Sequence, residues 1–315
     1  MEDYFTKEEK EKGIDIYKKK TFEKIVLSPL SFIADPPEHI YIDFLNYCQY
    51  GCSFCFNSFL TKEPCAMSEE NVEKICAHVL NLYKNYYEKY CKTNLHIHIG
   101  GNYDIFSDIK TLVYVKKLFY AFSKLRICFH MHTSSFLWYF LIQKILSDPF
   151  FIKMSYPIAI KAIMHINVYT KEEWKRIFYD EDDLLFQIIE ENRRNLVIHY
   201  YPLMKENFDP KVNGFIMTHQ GDTLVFPLHT WNIGQLQKPE PSFCPFLQNT
   251  MYINATGDVY TCPFGEAFEI YTYRMGNIED YDLYTIWNST RYQDLRSNFL
   301  SKENKHAWCK NCQLV

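Results

Sequence analysis

The sequence predicts an α/β fold of parallel strands alternating with helices, followed by a small cysteine-rich α+β extension with a β-hairpin. Three observations carry this. Six short runs rich in β-branched and aromatic residues are each separated from the next by helix-forming sequence, a rhythm that builds parallel βα units. The rhythm stops near residue 235, and alternating apolar residues then flank a glycine-containing turn. The eleven cysteines include one group of three within eight residues and a second group of four spread beyond residue 240.

The elements follow in order. Residues 1–36 read as a helical lead-in ending at Asp35-Pro36-Pro37, residues 37–234 as the core, and residues 235–315 as the extension. The strand at 41–44 delivers the chain to Cys48. A helix begins at Ser68, an N-cap followed by Glu69 and Glu70, and carries Val72, Ile75, Cys76, Val79, Leu80 and Tyr83 at helical spacing. The second strand, 95–99, ends in Gly100-Gly101-Asn102. Residues 108–124 form a helix with Ile109, Leu112, Val113, Leu118, Phe119 and Phe122 mostly on one side. The third strand, 126–132, is followed by Thr133-Ser134-Ser135 and a helix near 136–146. Strands at 163–168, 196–201 and 223–228 complete the six. Helical sequence fills 171–192, and a short helix opens at Asp209-Pro210, cap then proline at the first helical position. In the extension, strands at 251–254 and 259–262 enclose Ala255-Thr256-Gly257-Asp258, which leaves Cys262 at the hairpin's end.

Composition narrows the function. With 315 residues, 47% of them hydrophobic, the chain is long enough for a large core. Its net charge is −4, and Lys18-Lys19-Lys20 reads as a solvated helix face, so nucleic-acid binding is not expected. No apolar run has the length of a membrane span, and Met1 to Lys20 lacks the apolar centre of a signal peptide. Cysteines in such numbers without a secretory signal point to a reducing cytoplasm and to metal ligation. Cys65, Cys76, Cys91 and Cys128 read as small buried hydrophobes.

The chemistry centres on Cys48, Cys52 and Cys55, spaced C-x3-C-x2-C. A cubic iron–sulfur cluster normally takes four cysteines, and three thiolates leave one iron open. A structural zinc site competes with this reading. The spacing resembles the signature of the radical S-adenosylmethionine (radical SAM) superfamily, with Phe54 as the aromatic residue before the last cysteine. The resemblance implies an open six-strand (β/α) barrel, a partial TIM-like barrel with its chemistry at the C-terminal strand ends. It implies a [4Fe-4S] cluster with an open iron site for S-adenosylmethionine, fed by an electron donor such as flavodoxin or ferredoxin. Cleavage would release a 5′-deoxyadenosyl radical that takes a hydrogen atom from an unactivated C–H bond. Gly100, Gly101 and Asn102 stand where the family has a Gly-Gly-Glu that contacts the methionine amino group, with a neutral amide in place of the carboxylate. Ser134 and Ser135 stand where the family has ribose or carboxylate contacts. The extension resembles the SPASM/Twitch domain, which implies a second, auxiliary [4Fe-4S] cluster on Cys244, Cys262, Cys309 and Cys312. The end of the chain at Val315 favours the single-cluster form. A four-cysteine zinc site takes the same ligands.

Three function classes follow. The first is a radical SAM enzyme acting on a ribosomal peptide or protein side chain, or on a small-molecule metabolite; the short lead-in weakens the peptide case. The second is a histidine-ligated metal hydrolase, suggested by His96 and His98 on one strand and His130 and His132 on the next. The third is a non-catalytic iron–sulfur or zinc protein. Six of the eleven histidines fall on predicted strands, with His165 and His199 completing the set. Period-2 geometry puts them opposite the aliphatic face that packs on helices. His132 and His165, nearest the C-terminal strand ends, are the candidates for binding substrate or moving a proton.

Overall fold

The computed structural model describes residues 34–48, 63–88, 95–133, 162–168, 196–202, 223–225, 244–262 and 273–299. The expected lead-in helix and the helices at 136–146, 171–192 and 209–221 lie outside them. The chain divides into two compact units, Met1–Leu95 with Gly101–Tyr103 and Trp231–Val315 in one, His96–Gly100 with Asp104–Thr230 in the other.

All six expected strands are present: β1 (His39–Ile42), β2 (Leu95–Ile99), β3 (Ile127–Thr133), β4 (Ala162–Val168), β5 (Leu196–Pro202) and β6 (Thr223–Val225). In the unit holding the later strands, β3, β4, β5 and β6 are neighbours in that order and pair in parallel. The register sets His132 opposite His165 and His165 opposite His199. These three histidines therefore stand at one level of the sheet. The face of β3 opposite its own histidines presents Ile127, Phe129 and Met131, all buried. Phe129 packs on helix α2 (Lys110–Phe122), with ring centroids 4.2 Å from Phe119 and 6.1 Å from Phe122. The predicted division into a helix-packed apolar face and a histidine face holds on this strand. Helix α2 itself is rotated from the expected one. It buries Thr111, Val115, Leu118, Phe119 and Phe122, while Ile109 and Val113 stay 67% and 54% exposed. Those two sit about 100° and more round the helix from the buried stripe.

In the other unit β1 pairs in parallel with β7 (Thr250–Ile253). Strand β7 turns back into β8 (Asp258–Tyr260), and β8 pairs antiparallel with β9 (Arg274–Asn277). The predicted hairpin is thus the centre of a three-strand meander. Its turn needs Gly257, whose φ is +80° and where a Cβ would lie 2.8 Å from Ile278 Cγ1. Helix α1 (Glu69–Tyr86) starts where the sequence places it: the Ser68 hydroxyl accepts from the Asn71 amide at 3.1 Å. Its buried stripe runs Val72, Ile75, Val79, Leu82 and Tyr86, so Leu80, expected inside, is partly exposed and Cys76 half-buried. Short helices α3 (Pro245–Asn249) and α4 (Leu283–Trp287) precede α5 (Thr290–Phe299). Among the described residues no helix is long and apolar enough to cross a membrane.

Candidate functional site

The cysteine loop is held at its base by one side chain. Asn46 accepts a hydrogen bond from the Cys65 amide at 2.6 Å through Oδ1, and donates from Nδ2 to the Glu63 carbonyl at 2.9 Å. Its own amide donates to the Cys65 carbonyl at 3.0 Å, and the Met67 amide to the Phe44 carbonyl at 2.7 Å. The two ends of the 47–62 loop are thereby pinned side by side. Cys48, just inside the clamp, is a half-buried free thiol. Cys65 belongs to the clamp instead: burial pushes its thiol up, so it is held protonated. Cys52, Phe54 and Cys55 lie outside the described residues.

A second knot follows β1. Asp43 is 1% exposed and its Oδ2 accepts from the Tyr252 hydroxyl at 2.7 Å and from the Asn102 amide at 3.2 Å. The Asn102 side chain completes the triangle by donating to the Tyr252 oxygen at 2.8 Å. This explains the residue type at position 102. A carboxylate there would meet the buried Asp43 charge, whereas an amide supplies a donor. Before it, Gly100 has φ +74°, the left-handed region that glycine favours. At Gly101 a Cβ would meet only Tyr41 Cδ1, at an ordinary 3.4 Å. The protein's own packing does not demand glycine there.

The histidine face of β2 and β3 is a contiguous imidazole cluster. His96 Nδ1 lies 2.8 Å from His130 Nε2, His98 Nδ1 lies 3.2 Å from His132 Nε2, and the His98 and His130 rings stack at 4.2 Å. Each contact needs one donor and one acceptor, so a pair is held with at most one proton between the facing nitrogens. His98 and His130 are buried and His132 is half-exposed. At the end of β3 the Thr133 hydroxyl donates to buried Asp104 at 2.9 Å. His165 shares the level of His132 in the β4 register. Ser134 and Ser135 lie outside the described residues.

In the extension, Cys244 is the residue before α3, with Pro245 at the first helical position. Cys262 stands two residues past β8, and both cysteines are half-buried. They share an environment through Tyr292. Its hydroxyl donates to the Thr250 carbonyl at 2.7 Å, and burial pushes its pKa strongly up. The Arg296 charge opposes that rise, and the charges of Cys262 and Cys244 add to it. Cys309 and Cys312 lie outside the described residues. The two described thiols are soft, partly accessible donors of the type an iron–sulfur centre takes.

Sequence reasoning missed Asn46, Asp43, Tyr252 and Tyr292. Only Asn46 left a signal, as a side chain that both donates and accepts placed directly before the cysteine loop.

Comparison with known proteins adds two findings. Residues 244–313 match the SPASM family, an iron–sulfur cluster-binding domain. The chain shares its fold with BtrN, solved in complex with AdoMet and 2-DOIA: TM-score 0.53, 15% identity, covering 89% of this chain and 94% of BtrN. It also resembles anSMEcpe with bound AdoMet: TM-score 0.50, 12% identity, covering 88% of each chain. No curated protein matches the chain in sequence.

Proposed function

We infer that this chain, a radical SAM enzyme with a SPASM iron–sulfur domain, reductively cleaves S-adenosylmethionine and takes a hydrogen atom from a polar substrate. The observation that carries the reading is the joint presence of the clamped C-x3-C-x2-C loop after β1 and the SPASM match over residues 244–313. The cofactors are [4Fe-4S] clusters and S-adenosylmethionine; when bound, they supply one electron and the radical that removes hydrogen.

The chain's own residues have these roles. Cys48, Cys52 and Cys55 would ligate three irons and leave the fourth to S-adenosylmethionine, and Phe54, the aromatic residue before the last of them, would belong to the cofactor site. Cys244, Cys262, Cys309 and Cys312 ligate the auxiliary cluster. Gly101, where internal packing leaves glycine unexplained, admits close approach of the methionine end, and Gly100 turns the chain to allow it. Asn102 orients the site through Tyr252 and Asp43 and does not itself supply a charge. Ser134 and Ser135 contact the ribose or the carboxylate. His132 and His165 bind substrate or move a proton, His132 backed by His98. The core spans 37–234 and the auxiliary domain 235–315.

A face lined with imidazoles favours a polar substrate. A peptide or protein side chain is the first choice and a small polar metabolite the second. The metal-hydrolase reading is not favoured, since the histidines of β2 and β3 face one another in hydrogen-bonded pairs.

The test is anaerobic reconstitution followed by assay of 5′-deoxyadenosine. Wild-type protein should bind about eight irons, on the stoichiometry of two cubic clusters, and cleave S-adenosylmethionine. Replacing Cys48, Cys52 and Cys55 together by Ala should abolish cleavage and leave the C-terminal cluster in place. Cleavage that survives in the triple variant refutes the reading.

A further inference from the structure

Four large apolar side chains stand exposed among the described residues, and three of them lie on α2: Ile109 at 67%, Val113 at 54% and Tyr120 at 73%. At about 100° per residue the three fall within ~40° of one another, on the side away from the stripe that this helix buries. Single exposed apolar residues are ordinary on a protein surface, but an aligned strip of them marks a place of contact.

The charge around the strip has one sign. Lys116 borders it on one side and Lys110 on the other, both exposed, and exposed Lys124 stands just past the end of the helix. No Asp or Glu occurs in sequence between Ile109 and Thr133. The nearest acid before them, Asp108, is engaged at the helix start, where its Oδ1 accepts from the Lys110 amide at 2.9 Å. A basic rim round an apolar centre is thus concentrated on one helix of a chain whose net charge is −4. Its position is fixed as well. Asp104, ahead of the helix, accepts from the Thr133 hydroxyl at the end of β3, and the Thr111 hydroxyl donates to the Ile105 and Asp108 carbonyls. The first turn, with Ile109 and Lys110, is therefore tied to the C-terminal end of β3, the strand edge that carries chemistry in barrels of parallel βα units.

Charge and size select the occupant. A second copy of this face would set lysine against lysine. A strip ~17 Å long on one helix falls far short of the 2,000 Å² or more, roughly, that obligate homodimers bury, whereas weak redox encounters use the smallest interfaces known. Reductive cleavage of S-adenosylmethionine draws one electron per event from outside the chain, through a carrier that docks and leaves each time. We propose that the outer face of α2 is the docking surface for a small acidic one-electron carrier protein, whose carboxylates meet Lys110, Lys116 and Lys124 around the apolar centre. The proposal rests on the radical SAM reading. The step balances simply: the carrier loses one electron, the N-terminal cluster gains it, and no bond at the interface forms or breaks. The lysines steer the encounter, and the apolar centre holds the complex once formed.

The experiment uses the full, iron-reconstituted chain with two reductants. Dithionite is small and needs no docking surface; a reduced flavodoxin with an acidic face does. With dithionite, Lys110→Glu/Lys116→Glu and Val113→Ser/Tyr120→Ser should form 5′-deoxyadenosine at the wild-type rate. With flavodoxin, the concentration giving half-maximal rate should rise about tenfold in the charge-reversed variant and about fivefold in the apolar one. Calorimetric binding of oxidised flavodoxin should weaken by like factors. Added salt should weaken wild-type binding steeply and leave the charge-reversed variant nearly unaffected, a response that loss of fold does not produce. Unchanged flavodoxin dependence in the variants overturns the proposal. An equal loss with dithionite overturns it too, because the face then serves folding or cluster assembly. So does a wild-type dimer that Val113→Glu dissociates, which would give the face to a second copy. Failure of both flavodoxin and an acidic ferredoxin to support wild-type cleavage that dithionite supports overturns the carrier and leaves the radical SAM reading standing. Failure of dithionite itself to support cleavage overturns that reading, and the proposal with it.

Discussion

The β7–β9 meander and the corner formed by α3 and α5 each bury an arginine, and they treat it in opposite ways. In the meander, Arg274 meets Asp258 through Nε at 2.7 Å and Nη2 at 2.6 Å, with both side chains buried. Asn277 adds a third donor to the same carboxylate oxygen at 2.9 Å. Asn254 closes the turn by accepting from the Thr256 amide at 3.1 Å and the Asp258 amide at 2.9 Å. Protein atoms complete this network. In the corner, Arg296 has rings on its face and an orphaned Nη2. The difference separates two uses of a buried charge. A charge closed on a carboxylate fixes a turn and needs nothing more. A charge held by two ring faces and one carbonyl, with only the more distant Asp35 carboxylate to oppose it, is closed less completely.

The sharpest way to break the comparison is to open the closed network. Asp258→Ala strands Arg274 in the interior, and removing one partner of a buried pair costs about 3–5 kcal/mol. Urea denaturation of metal-free protein should show that loss, while Arg296→Met in the same protein shows a smaller one. If the two substitutions destabilise the metal-free chain alike, the two arginines are equivalent and the contrast fails.

A middle-sized effect tests the other cysteine region. Asn46→Ala removes an acceptor and a donor from the base of the 47–62 loop, and net hydrogen-bond values of 0.5–1.5 kcal/mol each suggest a loss of about 2 kcal/mol. The clamp holds the loop that carries Cys48, so iron bound at the N-terminal site should fall while iron at the C-terminal site stays constant. Variants combined with Cys244→Ala allow the two to be counted separately. Unchanged N-terminal iron would show that the loop keeps its shape without the clamp.

How much of this was legible in the sequence depends on what each signal measures. The strands follow from the alternation of β-rich runs with helical sequence, and on β3 the division between helix-packed and histidine faces follows from period-2 alternation. The Ser68 cap and the Gly257 turn were legible because local backbone geometry demands those residue types. The helix faces were less so. Ile109 and Val113 fit an apolar pattern yet stand exposed, because hydrophobic spacing alone does not say which of two adjacent stripes meets the sheet. The polar knots were not legible at all. Asp43, Asn102 and Tyr252 are separated by 59 and 150 residues in their hydrogen bonds to Asn102, and no local rule links them. Position 102 shows the consequence. In the sequence its amide is a departure from a family pattern, and in the fold it is the donor that a neighbouring buried carboxylate requires. Arg296 gave no sign either, since a charged residue on a short polar helix normally faces water.

The smallest expected effect concerns His78, on α1 in the same compact unit as the meander. Burial lowers its pKa below the ordinary 6.5, the Asp282 carboxylate works against that, and Lys74 adds a little to it. Its Nδ1 is buried without a hydrogen-bond partner, so protonation would place an unpaired N–H in the interior. The sign follows from linkage. Between the lowered folded value and the unfolded value the unfolded chain binds more protons, so stability rises with pH there. The contribution is complete above about pH 6.5 and is lost as pH falls through that value towards the folded pKa. Denaturation midpoints of wild type and His78→Gln, compared from neutral to mildly acidic pH, should converge as the pH falls, the wild type losing more. The difference cancels the titration of every other histidine, including the imidazole cluster on β2 and β3. It should also be the same with and without bound iron, because His78 belongs to the part of the unit that protein atoms complete. Parallel pH profiles for the two proteins would show that the helix stores no uncharged imidazole. A difference that appears only in iron-loaded protein would couple α1 to the cluster and blur the line between the closed network and the open corner.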